Sequence, residues 1–313
     1  MPGPFRVVCV GVLTLDALAL VPRYPAADER LVGEQVVVSC GGPAANAAIV
    51  LARQGVSVAF IGRVGRDAAG DQAARLLADE GVDVSALLRD PAMPTQSSCV
   101  VVAREAQTRA ISTLAVPALP LLPAFGPLAA QLIAEAEWAH ADHLGFLPVS
   151  EYLRGLGAAR RARFSLDAGN PVAGFTPRGL DLYVPTAQAL LRQFADPAAP
   201  DDVAAAARRA MAEGAGAVVA TDGAAGSMAW WHESFMPGPT AGHASAPARK
   251  DVAIVSTLGA GDVFHGAMLA ALCRGCGWAE ALWQANVTAA LSCRALDGHS
   301  AVPTLAELQT ALT

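Results

Sequence analysis

Residues 255–267 read Val-Ser-Thr-Leu-Gly-Ala-Gly-Asp-Val-Phe-His-Gly-Ala, which puts Gly259, Ala260 and Gly261 directly ahead of a helix start and Asp262 in its first turn. Side chains this small leave backbone N–H groups bare. At a helix N-terminus such groups converge on an anion, helped by the positive end of the helix dipole. A carboxylate beside that hole repels a phosphate and adds nothing to anion binding. It becomes useful when it takes the proton from an alcohol attacking the phosphate. The plainer alternative is a Gly-rich turn with Asp262 as the helix N-cap. A dinucleotide fingerprint does not fit, because G-x-G-x-x-G would need glycine where Phe264 stands.

A second stretch, Cys40-Gly41-Gly42-Pro43-Ala44-Ala45-Asn46, pairs two glycines with an amide one turn into a helix. The glycines let backbone approach a polyol, and Asn46 offers donor and acceptor to hydroxyls; an ordinary loop-to-helix turn is the alternative. Gly62 to Gly70 (GRVGRDAAG) reads as a strand end turning into a helix and carries little alone. The loop Thr221-Asp-Gly223-Ala-Ala-Gly226 follows the apolar run 215–220. Loops at the carboxyl ends of strands form the ligand crevice of an open α/β sheet, so this one is a candidate nucleotide contact. Asp167, closing Phe-Ser-Leu-Asp, is expected to face the same crevice. His140 and His143 are poor joint metal ligands, since a strand turns residues three apart to opposite faces. His265 is expected to pack or to support its neighbours.

These residues need elements to hold them. Short apolar runs at 5–12, 55–62, 138–145, 163–167, 180–184 and 215–220 read as buried strands. Helical segments at 44–53, 70–80, 201–213, 261–273 and 279–294 alternate with them. The alternation predicts an α/β fold with a mainly parallel sheet. Two β-rich segments, 18–39 and 96–114, interrupt it as antiparallel-looking insertions. They are expected to combine into a β lid over a main domain formed by 1–17, 40–95 and 115–313. The proline-punctuated stretch 115–127 leads back into that domain.

Composition narrows the function classes. The chain has 313 residues, 53% hydrophobic and 16% charged, with net charge −6. That charge argues against a nucleic-acid binder while leaving room for a local basic pocket. The longest charge-free stretch, 110–134, carries Pro117, Pro120, Pro123 and Pro127, so no membrane span is expected. With no signal-peptide pattern, the six cysteines read as reduced thiols of a cytoplasmic protein. Cys273 and Cys276 form a C-x-x-C in a stretch that reads as helical, without the second pair a zinc site would want. Lys250 is the single lysine and no G-x-x-x-x-G-K-[ST] occurs. An ATP user built on this chain holds phosphate chiefly with backbone amides and arginine.

The order of these motifs, from the Gly-Gly pair with Asn46 through to Thr257-Leu-Gly-Ala-Gly-Asp262, resembles the ribokinase-like, or PfkB, carbohydrate kinase family over about the whole chain. The resemblance implies a three-layer sandwich with a β-sheet lid and ATP-dependent transfer of the γ-phosphoryl group to a primary hydroxyl of a sugar. It implies Asp262 as the base and the amides of Gly259, Ala260 and Gly261 as the anion hole. Sugar contacts would come from Asp16, Gly41, Gly42 and Asn46, with Arg109 as a lid arginine and Asp167 near substrate or magnesium waters. Thr186, Thr221, Gly223, Gly226 and Asn286 would fall on the ATP side, and Mg²⁺ would accompany the nucleotide. Two departures stand out. The family's Asn-x-x-Glu is Thr186 to Ala189 here, which puts the usual Mg²⁺ network in doubt. The aspartate ahead of T-x-G-A-G-D is Ser256, which does the same for activation by K⁺. The substrate leans to a ketose such as fructose or an analogue. The alternatives are a nucleoside kinase, which would want aromatics where the lid has chiefly Tyr24, and a non-catalytic sugar- and nucleotide-binding relative. Unpaired lid edges suggest a homodimer formed through the lid.

Overall fold

A computed structural model describes residues 5–232 and 241–313. Nine strands form the large sheet: β1 (Val7–Gly11), β4 (Val58–Gly65), β5 (Leu88–Asp90), β8 (Trp138–Ala141), β9 (Arg163–Ala168), β10 (Leu182–Pro185), β11 (Ala217–Thr221), β12 (Ser227–Trp231) and β13 (Gly242–Ala246). Their order is β13-β12-β11-β10-β9-β8-β1-β4-β5. All neighbours from β5 to β11 run parallel, and β12 and β13 are antiparallel. The chain winds outward from β1 in both directions, so β1, between β4 and β8, is a switch point. The crevice beyond its carboxyl end is where a ligand belongs in such a sheet.

Helices cover both faces, giving the α/β three-layer sandwich. One face carries α1 (Pro43–Arg53), α2 (Ala68–Asp79), α7 (Ala260–Cys273) and α8 (Trp278–Ser292). The other carries α3 (Pro127–Glu135), α4 (Phe146–Leu156), α5 (Ala187–Phe194) and α6 (Val203–Ala212). Alternation along β1 shows why two cores arise: Val7 and Cys9 enter the first, Val8 and Val10 the second. Both neighbours of β1 are parallel strands and both its faces are covered, so every residue in it is buried. The C-terminal helix α9 (Leu305–Leu312) starts from a capping box of Thr304 and Glu307.

The two insertions do form one sheet, of four strands in the order β3-β2-β6-β7. These are β2 (Thr14–Val21), β3 (Gln35–Gly41), β6 (Ser97–Ala103) and β7 (Thr108–Thr113). It is not wholly antiparallel: β2 and β6 run parallel, with Leu15 opposite Ser97. Two hairpins laid side by side in the same direction produce that central pair. The sheet begins at Thr14, so Asp16 sits on a lid strand rather than in a loop after β1. Leu18, Leu20, Val100 and Val102 face the body and pack with Leu296, Val255 and Leu258.

Candidate active site

Helix α7 is capped by Gly259 in the left-handed conformation (φ 74°), with no side-chain cap hydrogen bond. Asp262 is therefore its third residue and not the N-cap, and the first-turn amides lack intrahelical partners. One of the three nominated amides is engaged: Ala260 N donates a long 3.4 Å bond to the Thr257 carbonyl. A Cβ on Gly259 would press on Gly298 Cα at 2.7 Å, while one on Gly261 would meet open space. Gly259 thus makes the turn, and Gly261 leaves the approach clear.

Asp262 meets Asn46 from across the fold: Asn46 Nδ2 donates to Asp262 Oδ2 at 2.8 Å. Asn46 is buried on α1, and its Oδ1 has no protein partner. Both residues line a pocket of about 310 Å³ together with Asp16, Gly41, Gly42, Gly259 and Arg109. The backbone comes close there because Gly42 adopts φ 110° and a Cβ on it would run into the Val12 carbonyl. A Cβ on Gly41 would collide with Asp16 Oδ2. Asp16 Oδ1 and Thr14 Oγ1, both buried at the pocket wall, also lack partners. His143 Nδ1 at the same wall is a fourth; buried polar atoms without partners are costly, and four around one pocket suit a ligand rich in hydroxyls. Arg109 reaches from β7 to donate to Thr257 Oγ1 at 3.0 Å, latching the lid to the turn ahead of α7.

Burial, followed by the negative charge of Asp167, pushes the Asp262 carboxyl up to about 7, against the Asn46 hydrogen bond and the charge of His265. A base with that proton affinity suits neutral pH.

Other nominated residues lie elsewhere. Asp167 does not line the pocket. Its carboxylate turns inward, pairing with His265 Nδ1 at 3.0 Å and accepting from Gly169 N at 2.9 Å. Thr186 caps α5, its hydroxyl accepting from Ala189 N at 3.1 Å. Thr221 ends β11 and bridges Thr186. Gly226 (φ 104°) is packed against the Ala246 carbonyl, whereas a Cβ on Gly223 would meet nothing within 4 Å. Asn286 spends its amide on the carbonyls of Ala246 and Pro247, both at 3.0 Å. Ser256 Oγ accepts from Leu258 N at 3.1 Å.

The two histidines of 138–145 part company because β8 ends at Ala141. His140 is buried beside Ser165, and His143 lines the pocket. Cys273 ends α7 while Cys276 lies beyond it in the turn to α8, so the C-x-x-C is not one helical stretch. Among the described residues no three His, Cys, Asp or Glu side chains gather to hold a metal. With Thr186 and Ala189 replacing Asn and Glu, and Asp167 occupied by His265, the residues present do not fit a protein-held magnesium ion.

Asp142 is the site residue that motif reading passes over. Fully buried, it accepts from Val12 N (2.7 Å), Ala44 N (3.3 Å), Leu144 N (2.9 Å) and Gly145 N (3.1 Å). One carboxylate thereby ties the end of β1, the first turn of α1 and its own loop. Gly298, also at the pocket, packs behind Asn46, where a Cβ would lie 2.8 Å from Asn46 Nδ2; Asp297 beside it accepts from Ser39 Oγ at 2.7 Å and Ser300 Oγ at 2.6 Å.

The family model for the pfkB family of carbohydrate kinases matches residues 5–153 and 179–305. The chain belongs to that family. Among pfkB relatives, the bifunctional protein HldE of Bradyrhizobium diazoefficiens is 27% identical over 97% of this chain, which spans 62% of that longer protein. A ribokinase of Haemophilus influenzae is 34% identical over 76 residues, 24% of this chain and 25% of its own. Of solved structures, Giardia lamblia ribokinase superposes with TM-score 0.81 at 19% identity, covering 99% of both chains. Arabidopsis thaliana ribokinase, complexed with ribose and ATP, gives 0.79 at 21% identity, covering 100% of this chain and 99% of its own. These likenesses show the ribokinase fold. No helix among the described residues is long and apolar enough to cross a membrane.

Proposed function

We propose that this pfkB-family chain transfers the γ-phosphoryl group of ATP to a primary hydroxyl of a neutral sugar, a ketose such as fructose or a close analogue. The observation that carries the reading is the Asn46–Asp262 contact, which joins the base at the head of α7 to the pocket wall bearing Asp16, Gly41 and Gly42. Asp262 takes the hydroxyl proton as the sugar oxygen attacks the γ-phosphorus. The bond from that phosphorus to the β-phosphate bridging oxygen breaks, and ADP leaves. Amides at the start of α7 face the negative charge on the transferring group, which positioning and fixed dipoles stabilise without reorganisation. The Arg109–Thr257 contact supports a lid that closes over this step and excludes water as a competing acceptor.

Three carboxylates, Asp16, Asp262 and Asp297, line the pocket against one arginine, Arg109. That balance favours a neutral polyol over an anionic sugar. Among the described residues lining it there is no Phe, Tyr or Trp to stack on a nucleobase, which weighs against a nucleoside. For the ATP side the candidates are Thr186 after β10, Thr221 at the end of β11, Gly223 and Gly226 in the turn to β12, and Asn286 of α8 beside the end of β13. We assign Gly223 the direct contact there and the others the shaping of that wall.

ADP release measured with fructose, ribose, ketodeoxygluconate, sulfofructose and adenosine in parallel tests the acceptor. Turnover with fructose or a neutral ketose above the rest is the expected result. Preference for adenosine would move the chain to the nucleoside branch, and ATP binding without transfer to any acceptor would make it a non-catalytic relative.

A further inference from the structure

We propose that His265 is held as an imidazolium against Asp167, one helical turn below Asp262, and that this buried ion pair positions Asp262 and tunes its proton affinity. Both side chains of the pair are only 5% exposed. His265 Nδ1 lies 3.0 Å from Asp167 Oδ2, and its Nε2 lies 3.1 Å from the backbone carbonyl of Val184. Carboxylate and carbonyl oxygens only accept. A neutral imidazole has one N–H and one lone pair, so it would set that lone pair against an oxygen on one side. The doubly protonated ring puts an N–H on the Val184 carbonyl and a positive charge 3.0 Å from the Asp167 carboxylate, an ion pair by proximity rather than an aligned hydrogen bond on that side.

His140 is the nearest other ring, 6.0 Å away between centroids. Its Nδ1 lies 3.2 Å from the Ser165 hydroxyl, a group that can donate, so the neutral form suffices there. Burial and then the charge of His265 push it down to about 3. For the pair itself, burial opposes both charges and their mutual attraction overcomes it: His265 is raised and Asp167 lowered.

The pair links α7 to the ends of β9 and β10 and so fixes the helix turn that carries the base. The charged and titratable groups around Asp262 are Asp167 from β9, His265 from α7 and Asp142 from the loop after β8, with Asn46 bonded to it from α1. Asp16, Arg109, His143 and Asp297 share its pocket. Removing the cation leaves Asp167 and Asp262 as neighbouring carboxylates, which bind their first proton more tightly. Asp262 must be ionised to act, so the acidic limb of the rate profile then shifts upward.

Nitrogen NMR of the histidine rings in the free protein tests the charge state without any substrate. The expected spectrum at pH 7.5 has one ring with both nitrogens protonated. That ring is missing in His265→Gln and loses a proton in Asp167→Asn. A neutral tautomer at His265 in the folded wild type overturns the proposal. The tuning rests on Asp262 being the base. In folded His265→Gln, the acidic limb of kcat/KM is expected to move up by about half a pH unit or more. An unmoved limb overturns that part. Absence of turnover with every sugar would count against the proposed function and leave the NMR result standing.

Discussion

With its carboxyl pushed up to about 7, Asp262, the proposed base, gains its ionised form progressively as pH rises through that value. The account predicts that kcat/KM rises as pH increases through about 7 and then levels; a flat profile from pH 6 to 8 would contradict it. The stability effect has the opposite sign. The folded value lies above the unfolded one, so the stabilisation from binding a proton is full below the unfolded carboxylate range and lost as pH rises through about 7. Asp262→Asn removes the buried charge, and it should melt at a higher temperature than wild type at pH 8, with the gap narrowing at pH 5.5. Thermal denaturation at the two pH values checks this. Asp262, Asn46 and the paired glycines were legible in the sequence because small residues beside a carboxylate or amide leave a local signature. Asp142 was not, since its role exists only once Val12 and Ala44, 130 and 98 residues away, bring their N–H groups to it. Asp167 is legible as a strand-end carboxylate, but its pairing with His265 is not, because a strand pattern does not reveal a histidine on α7.

The end of β1, the first turn of α1 and the loop after β8 share one anchor, Asp142. Replacing Asp142 by Leu would strand four N–H groups, one at the end of β1, one in the first turn of α1 and two in the loop after β8. A loss on the order of 2–5 kcal/mol is expected in urea denaturation, and a loss under about 0.5 kcal/mol would deny the anchor. Gly42→Ala forces a Cβ into positive φ against the Val12 carbonyl. It should raise the KM for sugar well above that of wild type while leaving the KM for ATP near its wild-type value, in steady-state kinetics on both substrates. The alternating strands and helices could be read from the sequence with boundaries shifted by a few residues, since apolar periodicity marks an element's interior better than its ends. The lid's two insertions were legible as β-rich segments. Their parallel central pair was not, because β2 and β6 find each other only after more than seventy intervening residues have folded between them.

At the scale of the molecule, the lid turns one face inward and leaves the other uncovered. Val36 and Val38 are 72% and 48% exposed on that outer face, across from Ala19 and Ala17 in register. This apolar outer face beside the two edge strands of the lid sheet motivates the prediction that the chain pairs with a second copy. Light scattering should give twice the chain mass, and Val36→Glu with Val38→Glu should give a folded monomer. A wild-type monomer at micromolar concentration would rule the lid dimer out. The proposed mechanism turns on Asp262 acting with the amides at the head of α7 on a sugar held in the pocket. Its most direct test is ADP release by wild type and Asp262→Asn, side by side, with the preferred sugar. A fall in kcat of about 10²–10⁴ with little change in ATP binding is expected. Turnover by Asp262→Asn equal to wild type would contradict it.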